Sequence, residues 1–319
     1  MLEGRPRAPF EHLRGDIGGE MICRNLWRDE TLHIGDALAG EYASRLERLG
    51  LTGIARQRDH HGEAGGEDAE ATDRHFALQF VNSAGRAVYI CIDALASLGD
   101  LTALINRFFS GGRIVLVEVP CGAGAGSLGL LSAIIEQRMA GLVPTLPLYV
   151  DIVGGDVSSR GLEHFELLLS HLTNASADSE IQLTSRMQLW DASDIRSSSR
   201  FIDHAVEVGR QADQVFLLVS NFSDALVNDE LKAGFEHFLS QFLGRFGDTP
   251  HAICWIEPVS NKGEKAQSSF RKFFERIARW LASTVPSDEG VRYSLFDPIR
   301  QKSVPSGVRV LRSEQTGMP

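Results

Sequence analysis

The segment from Val115 to Leu131 constrains the fold of this chain more than any other. It begins as a continuous apolar run, turns through Gly122, Gly124 and Gly126, and continues with helical apolar spacing. A strand buried on both faces of a parallel sheet has such a run, and glycines allow a tight turn that brings the backbone close to a ligand. The following helix offers free amide groups at its N-terminus. The segment therefore predicts a strand, a turn and a helix that together hold a nucleotide-like cofactor.

Apolar runs and helical patterns alternate along the rest of the chain. Runs typical of strands lie at 114–119, 146–153, 181–189, 214–220 and 252–257. Amphipathic helical patterns lie at 127–139, 162–172, 199–210, 230–246 and 265–284. This alternation predicts an α/β fold with a doubly wound, mostly parallel sheet. Two final strands at 291–296 and 308–311 predict a C-terminal antiparallel hairpin.

The first third of the chain has a different pattern. We expect residues 1–110 to form an N-terminal accessory segment of α and β structure, apart from a ligand-binding domain at 111–319. Two runs at 75–81 and 86–93, joined by Asn-Ser-Ala-Gly, predict a β-hairpin. From its position alone, the segment is expected to form a lid over the strand ends. Its other predicted elements are helices at 26–49 and 94–109 and a mobile polar loop at 57–74.

The composition narrows the possible classes of protein. The formal net charge of −10 opposes non-specific attraction to a nucleic-acid backbone. No apolar run reaches the roughly 18 residues that a membrane span needs. Four widely spaced cysteines fit neither a disulfide framework nor a metal site. We therefore expect a cytoplasmic protein with reduced thiols, no bound metal and no membrane association.

Polar and small residues follow the predicted strands, and these positions are the candidate site. Ligands of a doubly wound sheet bind outside the carboxyl ends of its strands, near the point where the strand order reverses. The candidates after the first strand are Glu118, Pro120, Cys121, Gly122 and Gly124. After the next three strands they are Asp151 and Ile152, then Asp191 and Ala192, then Ser220, Asn221 and Asp224.

This ordered set resembles the class I S-adenosylmethionine-dependent methyltransferases over roughly residues 95–312. The first motif of that family has an acid before a Gly-x-Gly-x-Gly run, and Glu118-Val-Pro-Cys-Gly-Ala-Gly124 is similar to it, with Pro120 in place of the first glycine. The resemblance implies a Rossmann-like methyltransferase fold and S-adenosyl-L-methionine as the cofactor. It also implies that Glu118 faces the methionine amino group, directly or through water.

The later motifs extend the resemblance. Asp151-Ile152 resembles the second motif, which implies that the acid holds the ribose and the apolar neighbour packs on adenine, with Asp156 as the nearby alternative acid. Asp191-Ala192 resembles the third motif, in which the acid contacts the adenine amino group, with Asp194 as the alternative acid. Ser220-Asn221-Phe222 has the place of the fourth motif, next to the transferred methyl group. The resemblance implies methyl transfer to RNA, protein or a small molecule, with Asn221 or Asp224 orienting the acceptor.

Two other functions fit parts of the sequence. Gly124-Ala-Gly-Ser-Leu-Gly129 matches the fingerprint of dinucleotide-binding folds, with an acid about 20 residues further on, which would indicate an NAD(P)-dependent oxidoreductase. Pro120 and the degenerate fourth motif are also compatible with a catalytically inactive, methyltransferase-like interaction protein. Titration with each cofactor separates the first alternative from methyl transfer.

A basic stretch near the C-terminus suggests a partner. The residues from Lys262 to Arg279 combine cations with aromatic side chains, which fits an amphipathic helix or a small basic face for RNA or an acidic partner. The preceding Trp255-Ile-Glu-Pro258 is similar to a Glu-Pro-Gly segment of Rsm22-like ribosomal methyltransferases. The cysteine sets with which some of those proteins hold an iron–sulfur cluster are missing from this sequence.

Overall fold

A single nine-stranded sheet organises the described part of the protein. The computed structural model describes residues 22–57, 66, 68–259 and 289–315. The strands are β1 (Trp27–Arg28), β2 (Thr31–Leu32), β3 (Gly112–Glu118), β4 (Leu148–Asp156), β5 (Ile181–Leu189), β6 (Gln214–Ser220), β7 (His251–Pro258), β8 (Glu289–Asp297) and β9 (Lys302–Gln315). The helices are α1 (Asp36–Arg48), α2 (Thr52–Ala55), α3 (Ala69–Ile92), α4 (Leu101–Phe108), α5 (Ala125–Met139), α6 (Ser159–Ala175), α7 (Ile195–Val208) and α8 (Asp229–Phe246).

The strand order confirms the predicted fold class. The order is β1-β2-β8-β9-β7-β6-β3-β4-β5, and the strands from β3 to β7 all pair in parallel. From β3 the chain proceeds outward in one direction through β4 and β5 and then in the other through β6 and β7. Strand β9 is antiparallel to both of its neighbours, β7 and β8. The protein is thus a doubly wound, mostly parallel sheet with an antiparallel C-terminal hairpin, and its order reverses between β3 and β6.

Strand β3 shows how the sequence fills both faces of the sheet. Side chains of a strand alternate between the two faces. Ile114 and Leu116 join the hydrophobic core shared with α3, α5 and α6, whereas Val115 and Val117 join a second core shared with α7 and α8. All four are fully buried. The uninterrupted apolar run is therefore a consequence of helices on both faces.

The predicted hairpin at 75–93 is wrong, since these residues belong to the 24-residue helix α3. The Asp68 side chain caps this helix by accepting from the Ala71 amide at 2.7 Å. Gly85, expected in a turn, packs inside α3, and a Cβ there would lie 2.8 Å from Leu295. Helix α3 is buried around most of its circumference from Phe80 onward, so it lacks the polar face that identifies a helix in a sequence.

The other N-terminal expectations need smaller corrections. In place of the helix expected at 26–35, β1 and β2 form an antiparallel pair, and β2 extends the sheet beside β8. Helix α1 begins at Asp36 and α4 begins at Leu101. The expected loop at 57–74 includes the first residues of α3. The described residues before 111 share one core cluster with α5 and α6.

Helix α3 crosses the carboxyl edge of the sheet. Its Thr72 Oγ1 lies 2.9 Å from the hydroxyl of Ser158, which follows β4. Its Ser83 Oγ accepts a hydrogen bond of 3.0 Å from Asn221 Nδ2, directly after β6. The stretch between Thr72 and Ser83 therefore spans from the end of β4 to the end of β6, and we name it the α3 bridge.

The four cysteines are free and buried. Burial raises the pKa of each thiol above its usual value. The thiolate is the nucleophilic form of cysteine, so these side chains are poor nucleophiles near neutral pH. In the part of the chain that the structure describes, no helix combines the length and apolarity needed to cross a membrane.

The contact between α3 and α5 can be tested with one pair of glycine variants. At position 129, a Cβ would lie 2.5 Å from the Ala84 carbonyl oxygen, so Gly129→Ala should destabilise the fold by about 1–3 kcal/mol through overpacking. Gly244 is an exposed residue of α8 where a Cβ would meet no atom within 4 Å, and Gly244→Ala should stabilise the fold by about 0.5 kcal/mol. Urea denaturation measures both changes. Equal effects of the two substitutions would contradict the α3–α5 packing.

Candidate functional site at the carboxyl edge of the sheet

Glu118, the last residue of β3, is buried beneath the first turn of α5. Its exposed fraction is 0%. Oε2 accepts from the Ser127 amide at 3.1 Å, and Oε1 lies 3.4 Å from the Ser220 hydroxyl at the end of β6. Burial raises the pKa of Glu118 to about 7, although these hydrogen bonds oppose the shift. The carboxylate thus occupies the N-terminus of α5, where free amides and the helix dipole favour negative charge.

Two glycines of the turn have different structural roles. Gly124 has φ +73°, and a side chain there would overlap the ring of Phe165 on α6. Gly122 has φ +50°, and a Cβ there would meet no atom within 4 Å. Its amide donates to Asp156 Oδ2 at 2.8 Å. Gly124 therefore serves packing, while Gly122 presents the backbone of the turn to open space.

The remaining residues of the turn have distinct surroundings. Pro120 is half-buried, and its peptide bond with Val119 is cis. Cys121 is buried, and its amide donates to the Gly155 carbonyl at 2.9 Å. Gly126 lies in the first turn of α5, where a Cβ would overlap the Glu118 carboxylate. The absence of a side chain at Gly126 is what allows Glu118 to reach the helix amides.

Asp151 does not follow β4, as the sequence suggested, but lies in the middle of that strand. Its Oδ2 accepts from Arg113 Nη1 at 2.9 Å, and its Oδ1 accepts from Thr184 Oγ1 at 2.5 Å. These partners belong to the two neighbouring strands, so Asp151 stabilises the sheet across β3, β4 and β5. Ile152 beside it is fully buried in the core. The structure does not bring either residue to the strand ends.

Asp156 is the acid at the end of β4. Besides the Gly122 amide, it accepts from the Ser158 amide at 2.9 Å through Oδ1. It is buried, and burial raises its pKa. Val157 follows it with 56% of its surface exposed, and Leu189, which pairs with Asp156 across the sheet, is 58% exposed. Asp156 therefore lies next to the glycine-rich turn, with an exposed apolar residue after it in the chain and another across the sheet.

Asp156 is the alternative to Asp151 that the sequence offers, and the predicted strand ends at Val153, before Gly154 and Gly155. Both glycines instead lie inside β4, where the sheet has no room for side chains. A Cβ at Gly154 would lie 2.6 Å from Met187, and one at Gly155 would lie 2.7 Å from Phe201. Glycine in a strand often marks such a close approach. This packing lets the strand continue to Asp156.

The residues after β5 form a turn that leads into α7, and the Asp191 amide donates to Ser197 Oγ of that helix at 3.0 Å. Asp191 is exposed, and its Oδ1 accepts from the amide and the hydroxyl of Ser193 at 2.9 Å and 2.7 Å. Ala192 is buried, and its carbonyl lies against Gly234 of α8. Asp194 caps α7 by accepting from the Arg196 amide. Asp191 thus stands at the carboxyl edge, whereas Ala192 packs against a helix.

Asn221, which follows β6, is held by the α3 bridge and by the turn of α3 that comes after it. Its Oδ1 accepts from Arg86 Nη2 at 2.6 Å, and its backbone has φ +56°. Asn221 is exposed although these partners fix its amide group. Asp224 is exposed three residues later. Sequence reasoning did not find Arg86, because nothing in the sequence connects it with a residue 135 positions away.

Glu257 has a structural role at the neighbouring strand end. Its Oε1 accepts from the amides of Phe222 and Ser223, both at 2.9 Å, and from Trp255 Nε1 at 2.6 Å. These bonds tie the turn after β6 to the end of β7. Burial raises the pKa of Glu257. The basic stretch from Lys262 to Arg279 lies outside the described residues.

Comparisons with known proteins give structural similarity alone. No family model matches the sequence, and no curated protein matches it significantly. Loganic acid methyltransferase with SAH aligns over 80% of this chain and 99% of its own, with 10% identity and a TM-score of 0.40. A protein from a study of the conversion of a disulfide bond into a thioacetal group during echinomycin biosynthesis aligns over 67% and 79%, with 13% identity and a TM-score of 0.35. The strand order, rather than these values, defines the fold.

The raised pKa of Glu118 predicts a pH-dependent stability. The unfolded side chain titrates near 4.5 and the folded one near 7, so between these values the folded state binds more protons. Wild-type stability should therefore fall as pH rises from 4.5 to 7, relative to Glu118→Gln, by about 3 kcal/mol in total. Denaturant unfolding at several pH values measures the difference. A constant difference across this range would refute the assignment of Glu118 as a buried acid.

Proposed function

We propose that this protein is an S-adenosyl-L-methionine-dependent methyltransferase. The observation that carries the proposal is the Glu118 carboxylate at the N-terminus of α5. In dinucleotide-binding folds the pyrophosphate binds at the corresponding helix N-terminus. A pyrophosphate at this position would lie against the Glu118 carboxylate, and the two negative charges would repel each other. S-adenosylmethionine has no phosphate and its sulfonium is cationic, so it suits this acidic site.

The glycines of the dinucleotide fingerprint also have other uses here. Gly126 makes room for Glu118, and Gly129 makes room for the backbone of α3 at Ala84. Neither glycine is left to approach a pyrophosphate. The antiparallel β9 between β7 and β8 further differs from the 3-2-1-4-5-6 strand order typical of dinucleotide-binding sheets. Both observations favour methyl transfer over hydride transfer.

The described residues fit the cofactor at the carboxyl edge. Each oxygen of Asp156 accepts one amide hydrogen bond and retains capacity for another, which suits the two ribose hydroxyls. Val157 and Leu189 offer apolar surface for the adenine ring, and Asp191 lies at the same edge for its amino group. Gly122 provides the open backbone. We assign Asp156 and Val157 the second-motif role that the sequence suggested for Asp151 and Ile152.

The α3 bridge and Asn221 would act on the reaction itself. When bound, S-adenosylmethionine supplies an activated methyl carbon to a nucleophile on the acceptor. The residues of this chain align the reactants and exclude water, which are the main contributions an enzyme makes to such a displacement. The α3 bridge covers the edge between β4 and β6. Asn221, fixed by Arg86 and Ser83, is positioned to orient the acceptor.

Glu118 would act as a positioning residue. Its oxygens are directed to Ser127 and Ser220, so it sets the start of α5 and the end of β6 beside the cofactor. The sequence resemblance implied contact with the methionine amino group, directly or through water. The proposal keeps the indirect form of that contact, since the carboxylate is fully buried.

Calorimetric titration with S-adenosylhomocysteine, S-adenosylmethionine and NAD tests the proposal. We expect both S-adenosyl compounds to bind and NAD not to bind. Asp156→Asn should weaken the binding of S-adenosylhomocysteine about 10- to 100-fold, because charge-assisted hydrogen bonds to the ribose are lost. Asp151→Asn is the matched control and should leave the affinity unchanged while reducing stability.

Three results would decide against the proposal. The first is binding of NAD in place of the S-adenosyl compounds. The second is an unchanged affinity of Asp156→Asn for S-adenosylhomocysteine, and the third is a loss of that affinity in Asp151→Asn as large as in Asp156→Asn. Binding without methyl transfer to any acceptor in RNA, protein and small-molecule extracts would instead favour an inactive, methyltransferase-like interaction protein. The Rsm22-like resemblance and a basic face for RNA stay predictions of the sequence.

A further inference from the structure

Arg86 is a buried cation without a buried counter-ion among the residues that the structure describes. Its exposed fraction is 7%. Nη2 donates to Asn221 Oδ1 at 2.6 Å and to Ser83 Oγ at 3.1 Å, while Nε is buried without a hydrogen-bond partner. Within the described ranges, no carboxylate lies within ion-pair distance of its guanidinium. Burial lowers the pKa of Arg86 from its usual value, and a buried charge is costly unless it is paired.

Arg138 shows what a purely structural buried arginine looks like in the same protein. It is 2% exposed. Its guanidinium donates four hydrogen bonds of 2.9–3.1 Å to main-chain carbonyl oxygens. Its Nε, like that of Arg86, is buried without a hydrogen-bond partner, but the four carbonyls compensate the lost hydration of its terminal nitrogens. Arg86 instead donates to two neutral side chains, so much of its donor capacity is unused.

The carboxylate that acts electrostatically on Arg86 cannot serve as the missing partner. Glu257 contributes to the electrostatic environment of Arg86, but it is not within ion-pair distance. Its Oε1 already accepts from two amides and an indole. The Arg86 guanidinium nevertheless reaches Asn221, which is exposed at the end of β6. The cation therefore lies one side chain below the surface, at the edge where the acceptor would bind.

We propose that Arg86 recognises a carboxylate on the methyl acceptor. This inference rests on the proposed function, because it places the acceptor beside Asn221. A guanidinium pairs with a carboxylate through parallel, charge-assisted hydrogen bonds. The substrate class is thus a small molecule or peptide end that carries a carboxylate close to the atom that receives the methyl group.

The surroundings favour a carboxylate over a phosphate. One buried positive charge matches one negative charge, whereas a phosphate monoester carries nearly two at neutral pH. The net charge of −10 also repels a dianion more strongly than a monoanion. A monoanionic acceptor therefore suits the site best.

Asn221→Asp provides a direct test because it supplies the missing anion from within the chain. The new carboxylate would replace the amide oxygen that already lies 2.6 Å from Arg86 Nη2, and aspartate tolerates the left-handed backbone of this position. We expect a higher melting temperature than in the wild type. We also expect loss of binding of external carboxylates. A structural role of Arg86 alone would not couple these two changes.

The binding probe is sodium benzoate, with benzamide as its neutral counterpart and inorganic phosphate as the competing anion. Titrations use the full chain at constant ionic strength, with and without S-adenosylhomocysteine. Wild-type protein should bind benzoate with a dissociation constant on the order of 1 mM and should not bind benzamide. Arg86→Gln and Asn221→Asp should each weaken the binding of benzoate at least about 10-fold. Arg113→Gln, which removes a half-exposed arginine within the sheet, should leave benzoate binding unchanged.

The inference is overturned if the wild type fails to bind benzoate, if both variants bind it normally, or if phosphate binds more tightly. Asn221→Asp keeps the test decisive if Arg86→Gln does not fold. Failure of the proposed function has a separate signature, since S-adenosylhomocysteine would then not bind although benzoate does. In that case Arg86 would bind an anion, but its role toward a methyl acceptor would be refuted.

Discussion

The burial of the Glu118 carboxylate under α5 is the interaction on which the rest of the structure depends. It joins the central strand β3 to the first turn of α5 and to Ser220 at the end of β6, so it links the elements on both sides of the point where the strand order reverses. Burying a carboxylate is costly, and the helix amides offset part of that cost. Gly126 is required because any side chain there would overlap the carboxylate.

This arrangement also limits the chemistry of the ligand. With the helix N-terminus already satisfied by an acid, the edge of the sheet retains acidic, apolar and backbone groups around Asp156 and Gly122. These groups suit a nucleoside without phosphates. Helix α3 brings the positive charge of Arg86 to the end of β6, away from Asp156 at the end of β4. The acid proposed for the ribose and the cation proposed for the acceptor thus lie at the ends of different strands.

The sequence predicted the sheet well because buried parallel strands produce uninterrupted apolar runs. The predictions were wrong where a buried element has no regular alternation of polar and apolar residues. Helix α3 is surrounded by other elements, so its sequence resembled two strands. The predicted ribose acid was Asp151, with Asp156 as its alternative, because the apolar run ends at Val153, whereas the strand continues to Asp156. The environment of Arg86 could not be predicted, since the surroundings of a buried charge depend on contacts between residues far apart in the sequence.

A crystal structure of the protein grown with S-adenosylhomocysteine tests the central claim most directly. The account predicts that the ribose hydroxyls lie within hydrogen-bond distance of Asp156 and that the adenine ring contacts Val157 and Leu189. It also predicts that the Glu118 carboxylate stays beneath α5, without a direct bond to the ligand. Ligand density beside Asp151, or a Glu118 side chain displaced by a bound phosphate, would contradict it.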